Sequence, residues 1–256
     1  MLRAPIRGEC SAVVALPPEG PPVAVQTWDW ANRFRGGWLV WEIPLADGTG
    51  TLTMTEYGIV GKAGLNTRGL GLLVTILHHQ ADGDGVRLPV HVAARAALDL
   101  GTTIARAAQL LGAAPVSASS SLNLCAWDGT RVAAISVELH PGGPGLVLPD
   151  EQGLLVHTNH FIDLRAAVRD SEPRAFPDTL LRRDMLLRRL RTGATREDVL
   201  AALDSHMGAD AALCCHPLPG VDPRDQYEML CTLTLDLAAG RLHAHEGGPC
   251  TRPLAA

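Results

Sequence analysis

The sequence predicts an α+β fold: two antiparallel sheets packed face to face with helices on the outside. Three observations carry this expectation. Short β-rich runs fill the first third of the chain, separated by Gly, Pro or Asp-Gly. From Pro89 the apolar residues fall at helical spacing instead. Strand-like runs then return, interrupted by a second helical region and closed by a hairpin.

In order, the early strands are "SAVVAL", "PVAVQTWDW", "GWLVWEIPL", "GTLTMTEYG" and "GLGLLVTIL". The stretch "LPVHVAARAALDLGTTIARAAQLLG" reads as two helices joined at Gly101-Thr102, with Thr102 or Thr103 capping the second. "SLNLCAW" and "RVAAISVEL" flank Asp128-Gly129, a strong hairpin signal. "GLLVHTNHF" is a strand ending in a polar tip, and residues 178–205 are helical. "LCCHPLPGVDPRDQ" is a loop, and "MLCTLTLDLAAGRLHAHEG" closes the fold as a hairpin. No repeat, low-complexity tract or linker divides the chain, so residues 10–256 read as one domain.

With 46% hydrophobic and 19% charged residues in 256, the chain can bury a large core. Its formal charge of −5 argues against a nucleic-acid partner. The densest basic stretch, "LLRRDMLLRRLR" (180–191), reads as a solvated helix face. No apolar run reaches the roughly 18 residues that span a bilayer, so a soluble, cytoplasmic protein without a membrane partner is expected. Six cysteines are too sparse for a disulfide scaffold and lack paired CxxC spacing, so no metal or other cofactor is expected. A homo-oligomer is compatible with the sequence, though no residue pattern calls for one.

The residue that stands out is Cys10, at the start of the first strand. A thiol reacts as its thiolate and needs a base. Were Cys10 the first residue of a processed chain, its own α-amine, with a pKa of about 8, would serve. That scheme needs a carboxylate to orient the amine and donors to hold an oxyanion. Asp29, at the end of the second strand, can return beside Cys10 in a hairpin. It reads equally well as a strand-end residue between Trp28 and Trp30. Asn159, in "VHTNH", reads first as a turn residue bonding its own backbone, and second as an oxyanion donor. His157 and His160 flank it without metal-binding spacing, and His78-His79 point to opposite faces of a strand. Trp28 and Trp30 could line an apolar acyl pocket, although strand tryptophans are more often core.

Cys10-Ser11, Gln26-Thr27-Trp28-Asp29, "TEYGIVGKAGLNTRGLGLLVTIL" (55–77) and "VHTNH" (156–160) together resemble the acyl-coenzyme A:6-aminopenicillanic acid acyltransferase family of N-terminal-nucleophile hydrolases. The resemblance runs from Cys10 to about Gly248. It implies a four-layer αββα sandwich and autocatalytic cleavage of Glu9–Cys10, which removes residues 1–9. It also implies Cys10 as nucleophile, Asp29 as orienter of its amine, and Asn159 in the oxyanion hole. The substrate implied is a small-molecule acyl amide or acyl thioester, hydrolysed or used for acyl transfer. The glycines at 58, 61, 64 and 69, with Asn66, are expected to permit tight turns. Relatives carry an arginine before the closing strand, where Arg224 is the nearest candidate. Thr27 stands where an asparagine is common, and His157 is a further supporting candidate. Two other readings remain: a non-catalytic binding or assembly module on the same fold, and an internal Cys10–His157 pair needing no cleavage.

Overall fold

The computed structural model describes residues 10–83 and 85–251, the side chain of Asp210 excepted. The strands are β1 (Cys10–Ala15), β2 (Val23–Ala31), β3 (Trp38–Pro44), β4 (Gly50–Glu56), β5 (Ala63–Asn66) and β6 (Leu70–Ile76), followed by helices α1 (Val90–Leu100) and α2 (Ile104–Gly112). Next come β7 (Ser120–Trp127), β8 (Val132–His140), β9 (Gly143–Val147) and β10 (Leu154–His157). Helices α3 (Leu164–Ala167), α4 (Glu172–Ala175), α5 (Asp178–Arg189) and α6 (Arg196–Leu203) lead to the closing strands β11 (Tyr227–Asp236) and β12 (Arg241–Glu246). No helix among the described residues is long and apolar enough to cross a membrane.

The strands form two antiparallel sheets, one of five strands ordered β10-β1-β2-β11-β12 and one of seven ordered β3 to β9. Three apolar layers follow from the period-two alternation of the strands. Cys10, Ala12, Val14, Ala24 and Trp28 face Met54, Leu65, Leu73 and Cys125 between the sheets. Val13, Ala15 and Val25 face the other way, against Leu186 of α5 and Val199, Leu200 and Leu203 of α6. On the far side, Leu72, Val74, Leu122 and Leu124 pack on Ala94, Ala97 and Leu98 of α1 and on Leu111 of α2. Helix, sheet, sheet, helix is the expected order, arising because every central strand is buried on both faces.

The predicted helix pair breaks at Gly101, and the Thr103 side chain caps α2 by accepting from the Arg106 N–H. The Asp128-Gly129 turn holds because Asp128 Oδ1 accepts from the N–H groups of Thr130 and Arg131 while Gly129 takes φ +95°. Strand β5 lies inside the stretch read for its glycines. A Cβ on Gly64 would sit 2.1 Å from the Leu52 carbonyl oxygen, so only glycine lets β5 lie against β4. Beyond the short β5, the Gln26 side chain closes the open ladder of β6 from the opposite sheet. It donates to Val74 O at 2.7 Å and accepts from Val74 N at 2.8 Å.

Helix α5 departs from its expected solvated face. Arg182 is only 1% exposed, whereas Leu180 and Leu181 on the preceding turn are 46% and 64% exposed. The pattern is inverted over this first turn, while Leu186 further along stays buried, because Arg182 reaches polar groups at the buried end of β1, described below.

Candidate functional site

Cys10 opens β1, the second strand of the five-stranded sheet, and strand register decides its neighbours. The pairs Ala12↔His157 and Val13↔Val156 between β1 and β10, continued by two positions, set residue 159 opposite Cys10. On the other side, Cys10 pairs with Trp28, so Asp29 lies one position beyond it. A sheet therefore brings together three residues separated by up to 149 positions in sequence.

The contacts follow from this register. The Cys10 backbone nitrogen donates to Asn159 Oδ1 at 2.9 Å. Asn159 Nδ2 donates to the Ile76 carbonyl at 2.9 Å, and its backbone N–H donates to Thr179 Oγ1. Arg182 completes the cluster: Nη2 donates to Asn159 Oδ1 at 3.1 Å, and Nη1 donates to Cys10 O and Ser11 Oγ at 3.2 and 3.3 Å. Its Nε donates to Asp178 Oδ2 at 3.2 Å, one helical turn back. Donor-only partners on Oδ1 and an acceptor at Nδ2 fix the orientation of the Asn159 amide.

The Asn159 carbonyl oxygen thus addresses the nitrogen of Cys10, drawn there by Arg182, which supplies only donors. One amide N–H is used on Ile76 O, and the same nitrogen carries a second donor.

Around the sulfur, burial pushes the Cys10 thiol up to about 12. The Lys62 ammonium opposes this shift, the Asp29 carboxylate adds to it, and a backbone hydrogen bond from Asp29 and the charge of Arg182 lower it. Asp29 is wholly buried. Lys62 is buried too, with its Nζ 2.6 Å from Glu56 Oε1 and 4.1 Å from the centroid of the Trp28 ring. Two cations and one carboxylate therefore surround a thiol that burial keeps protonated.

The other expected residues fall in varied places. Thr27 is buried opposite Ser11, one position off the Cys10–Trp28 pair. Trp28 is buried in the core between the sheets, while half-buried Trp30 meets the Phe34 ring at 6.5 Å. His157 is buried with Nε2 2.8 Å from Glu138 Oε1 and Nδ1 2.8 Å from Thr158 O, so neither nitrogen addresses Cys10. Glu138 also accepts from the N–H groups of Ile162 and Asp163, which shapes the loop after β10. That arrangement counts against an internal Cys10–His157 pair. Arg224 lies in an exposed loop with its side chain 88% exposed and paired to Asp222. The arginine at the site is Arg182, and the expectation of a solvated face over 180–191 fails there.

Arg182 and Lys62 were the functional candidates that sequence reasoning missed. Each had a faint signal: Lys62 is a lone charge in the glycine-rich run "GIVGKAGLN", and Arg182 follows "PDTLL" at the start of a helix. Residues 1–9, and with them the Glu9 side of the expected scissile bond, lie outside the described residues.

Comparison with known proteins agrees with this architecture. The acyl-coenzyme A:6-aminopenicillanic acid acyl-transferase family matches residues 17–182, a span that begins beyond Cys10 and ends at Arg182. The 40 kDa form of acyl-coenzyme A:6-aminopenicillanic-acid-acyltransferase from Emericella nidulans is 28% identical over 158 residues, 61% of this chain. That match spans only 42% of the relative's length. Among solved structures, a penicillin V acylase from Agrobacterium tumefaciens superposes with a TM-score of 0.61 at 15% identity, over 93% of this chain and 83% of that one. The Caenorhabditis elegans N-acylethanolamine-hydrolyzing acid amidase ortholog gives 0.59 at 13% identity, over 88% and 92%. A variant of conjugated bile acid hydrolase from Clostridium perfringens gives 0.55 at 11%, over 93% and 92%. At these identities the solved structures speak for the fold, the four-layer sandwich of N-terminal-nucleophile hydrolases. The family match covers well over half of the sequence, and this chain belongs to the acyl-coenzyme A:6-aminopenicillanic acid acyl-transferase family.

Proposed function

We propose that the protein is an N-terminal cysteine enzyme that cleaves, or transfers the acyl group of, a small acyl amide, with Cys10 as nucleophile. The observation that carries this reading is the pairing of Cys10 N with Asn159 Oδ1, braced by Arg182, beside a thiol flanked by Lys62 and Asp29. Nitrogen and sulfur of one residue are both addressed by buried polar groups. An inert core cysteine has no need of such an arrangement.

In the proposed activation, Cys10 Sγ adds to the Glu9 carbonyl carbon and the Glu9–Cys10 C–N bond breaks. Water then hydrolyses the resulting thioester, releasing residues 1–9 and leaving a free α-amine. Asn159 Oδ1 holds that amine, and the buried Asp29 carboxylate favours its protonated form once it has taken the thiol proton. In turnover, the thiolate adds to the substrate carbonyl, the amine returns its proton to the leaving nitrogen, and an acyl-thioester forms. Water completes hydrolysis, whereas an acceptor amine completes transfer. The acyl amides and acyl-coenzyme A named for the family and its structural neighbours support this substrate class.

The test is the intact mass of wild type beside Cys10→Ala. Loss of residues 1–9 from wild type alone is the expected result. If both proteins keep the leader, self-processing is refuted and the non-catalytic module moves ahead.

A further inference from the structure

A second cluster of reactive side chains lies apart from Cys10. The loop that follows α6 carries His206, Cys214 and His216, and the turn after β12 carries Cys250. One ligand atom from each lies within 4.8 Å of all the others. His206 Nε2 and His216 Nε2 are 3.0 Å apart, and Cys214 Sγ and Cys250 Sγ are 3.5 Å apart. His216 Nε2 is 3.7 Å from Cys214 Sγ and 3.3 Å from Cys250 Sγ.

We infer that these four side chains form a Cys2His2 site for a divalent zinc ion. The distances themselves make the argument. With Zn–S of about 2.3 Å and Zn–N of about 2.05 Å, a tetrahedron has edges of about 3.8 Å for S–S, about 3.4 Å for N–N and about 3.6 Å for S–N. Four of the six separations fall within a few tenths of an ångström of those edges, and the two from His206 to the sulfurs lie within 4.8 Å. Two thiolates with two imidazoles select zinc over calcium or magnesium, which take oxygen ligands.

Neighbouring groups fit the same purpose. Asp204 Oδ1 stands 3.8 Å from the outward nitrogen of His206, on the side where a carboxylate commonly orients a metal-bound imidazole. The chain reaches Cys250 through Gly247 at φ +87° and through Gly248, whose added Cβ would lie 2.5 Å from Cys214 Sγ. That close approach is what brings the two sulfurs together. Spacing in the sequence concealed the site, because the fourth ligand comes 34 residues after the third. Binding releases the two thiol protons to solvent and leaves two thiolates neutralising the ion. The ion staples the loop after α6 to the turn that follows β12. From the same loop, Cys215 O accepts from Met229 N, and Met229 pairs with Asp29 across β11 and β2.

The experiment uses the whole protein, produced with added zinc and purified in a phosphine reductant, with metal measured by mass spectrometry after gel filtration. About one zinc per chain is expected. Replacement by Co2+ should give a thiolate-to-cobalt charge-transfer band and intense tetrahedral d–d bands. Chelation should lower the melting temperature of wild type but not of Cys250→Ser, a change in an exposed turn, or of His216→Gln. Fully reduced wild type that takes up neither ion overturns the inference, as does full zinc content in Cys250→Ser. A Cys214–Cys250 disulfide formed despite zinc and reductant also overturns it. The wild-type cobalt spectrum decides the matter even if a variant fails to fold.

Discussion

Replacing Arg182 tests the reasoning about the site most directly. Its guanidinium makes four hydrogen bonds in three directions, to Cys10 O, Ser11 Oγ, Asn159 Oδ1 and Asp178 Oδ2. Arg182→Met leaves those acceptors in a site where Arg182 itself is 1% exposed, so solvent does little to compensate them. Removing one partner of a buried ion pair costs about 3–5 kcal/mol. That is a large part of the roughly 5–15 kcal/mol by which a domain is stable. Arg182→Lys keeps the charge but loses the planar fork, so two or so of the bonds fail, at about 1 kcal/mol each. The expected order of stability is wild type, then lysine about 2 kcal/mol lower, then methionine lowest. Urea unfolding midpoints give the order, and intact mass gives the rate of the proposed loss of residues 1–9 in each variant. Lysine should slow leader loss well beyond its effect on stability, because Asn159 Oδ1 loses the donor that holds it towards Cys10 N. If both variants lie within about 0.5 kcal/mol of wild type and process at its rate, Arg182 is a bystander and the assignment of the site fails.

Two further outcomes are expected. Gly64→Ala places a methyl 2.1 Å from Leu52 O and 2.8 Å from Thr53 Cα, both backbone atoms that cannot swing away, so the protein should melt far lower or fail to accumulate. Stability should peak between about pH 6.5 and 9 and fall on both sides. On the acid side, burial holds His160 down to about 3, aided by the charges of His157, Arg183 and Arg182. The unfolded chain then takes up a proton that the folded one refuses, costing up to about 1.4 kcal/mol per pH unit as pH falls below about 6.5. On the alkaline side, burial lifts Cys10, Cys125 and Cys231 to about 12, so their contribution is complete below about pH 9 and is lost as pH rises towards 12. Urea midpoints across pH check this, and a flat profile refutes it.

What the sequence determined by itself was what depends on neighbours along the chain. Hairpins announced by Asp128-Gly129, the helix pair split at Gly101 and the cap at Thr103 are local, and the β-rich runs of the first third announce β1 and β2 as strands. Those features together required two sheets with helices outside. Cys10, Asp29 and Asn159 were legible as candidates through motif order. Strands β5 and β9 were not, because Gly-rich "AGLN" and "GPGLV" lack β propensity and exist only because neighbouring strands accept them. Tertiary structure alone decided which polar groups meet. Strand register set Asn159 opposite Cys10, and helix α5 docked so that Arg182 faces inward together with Leu186, while Leu180 and Leu181 face solvent. Arg224 looked the better arginine by position along the chain, yet it faces solvent beside Asp222. The Cys2His2 cluster was equally invisible to spacing. A contact across 34 or 149 residues leaves no periodic trace, because it depends on where whole elements pack and not on the residues between them.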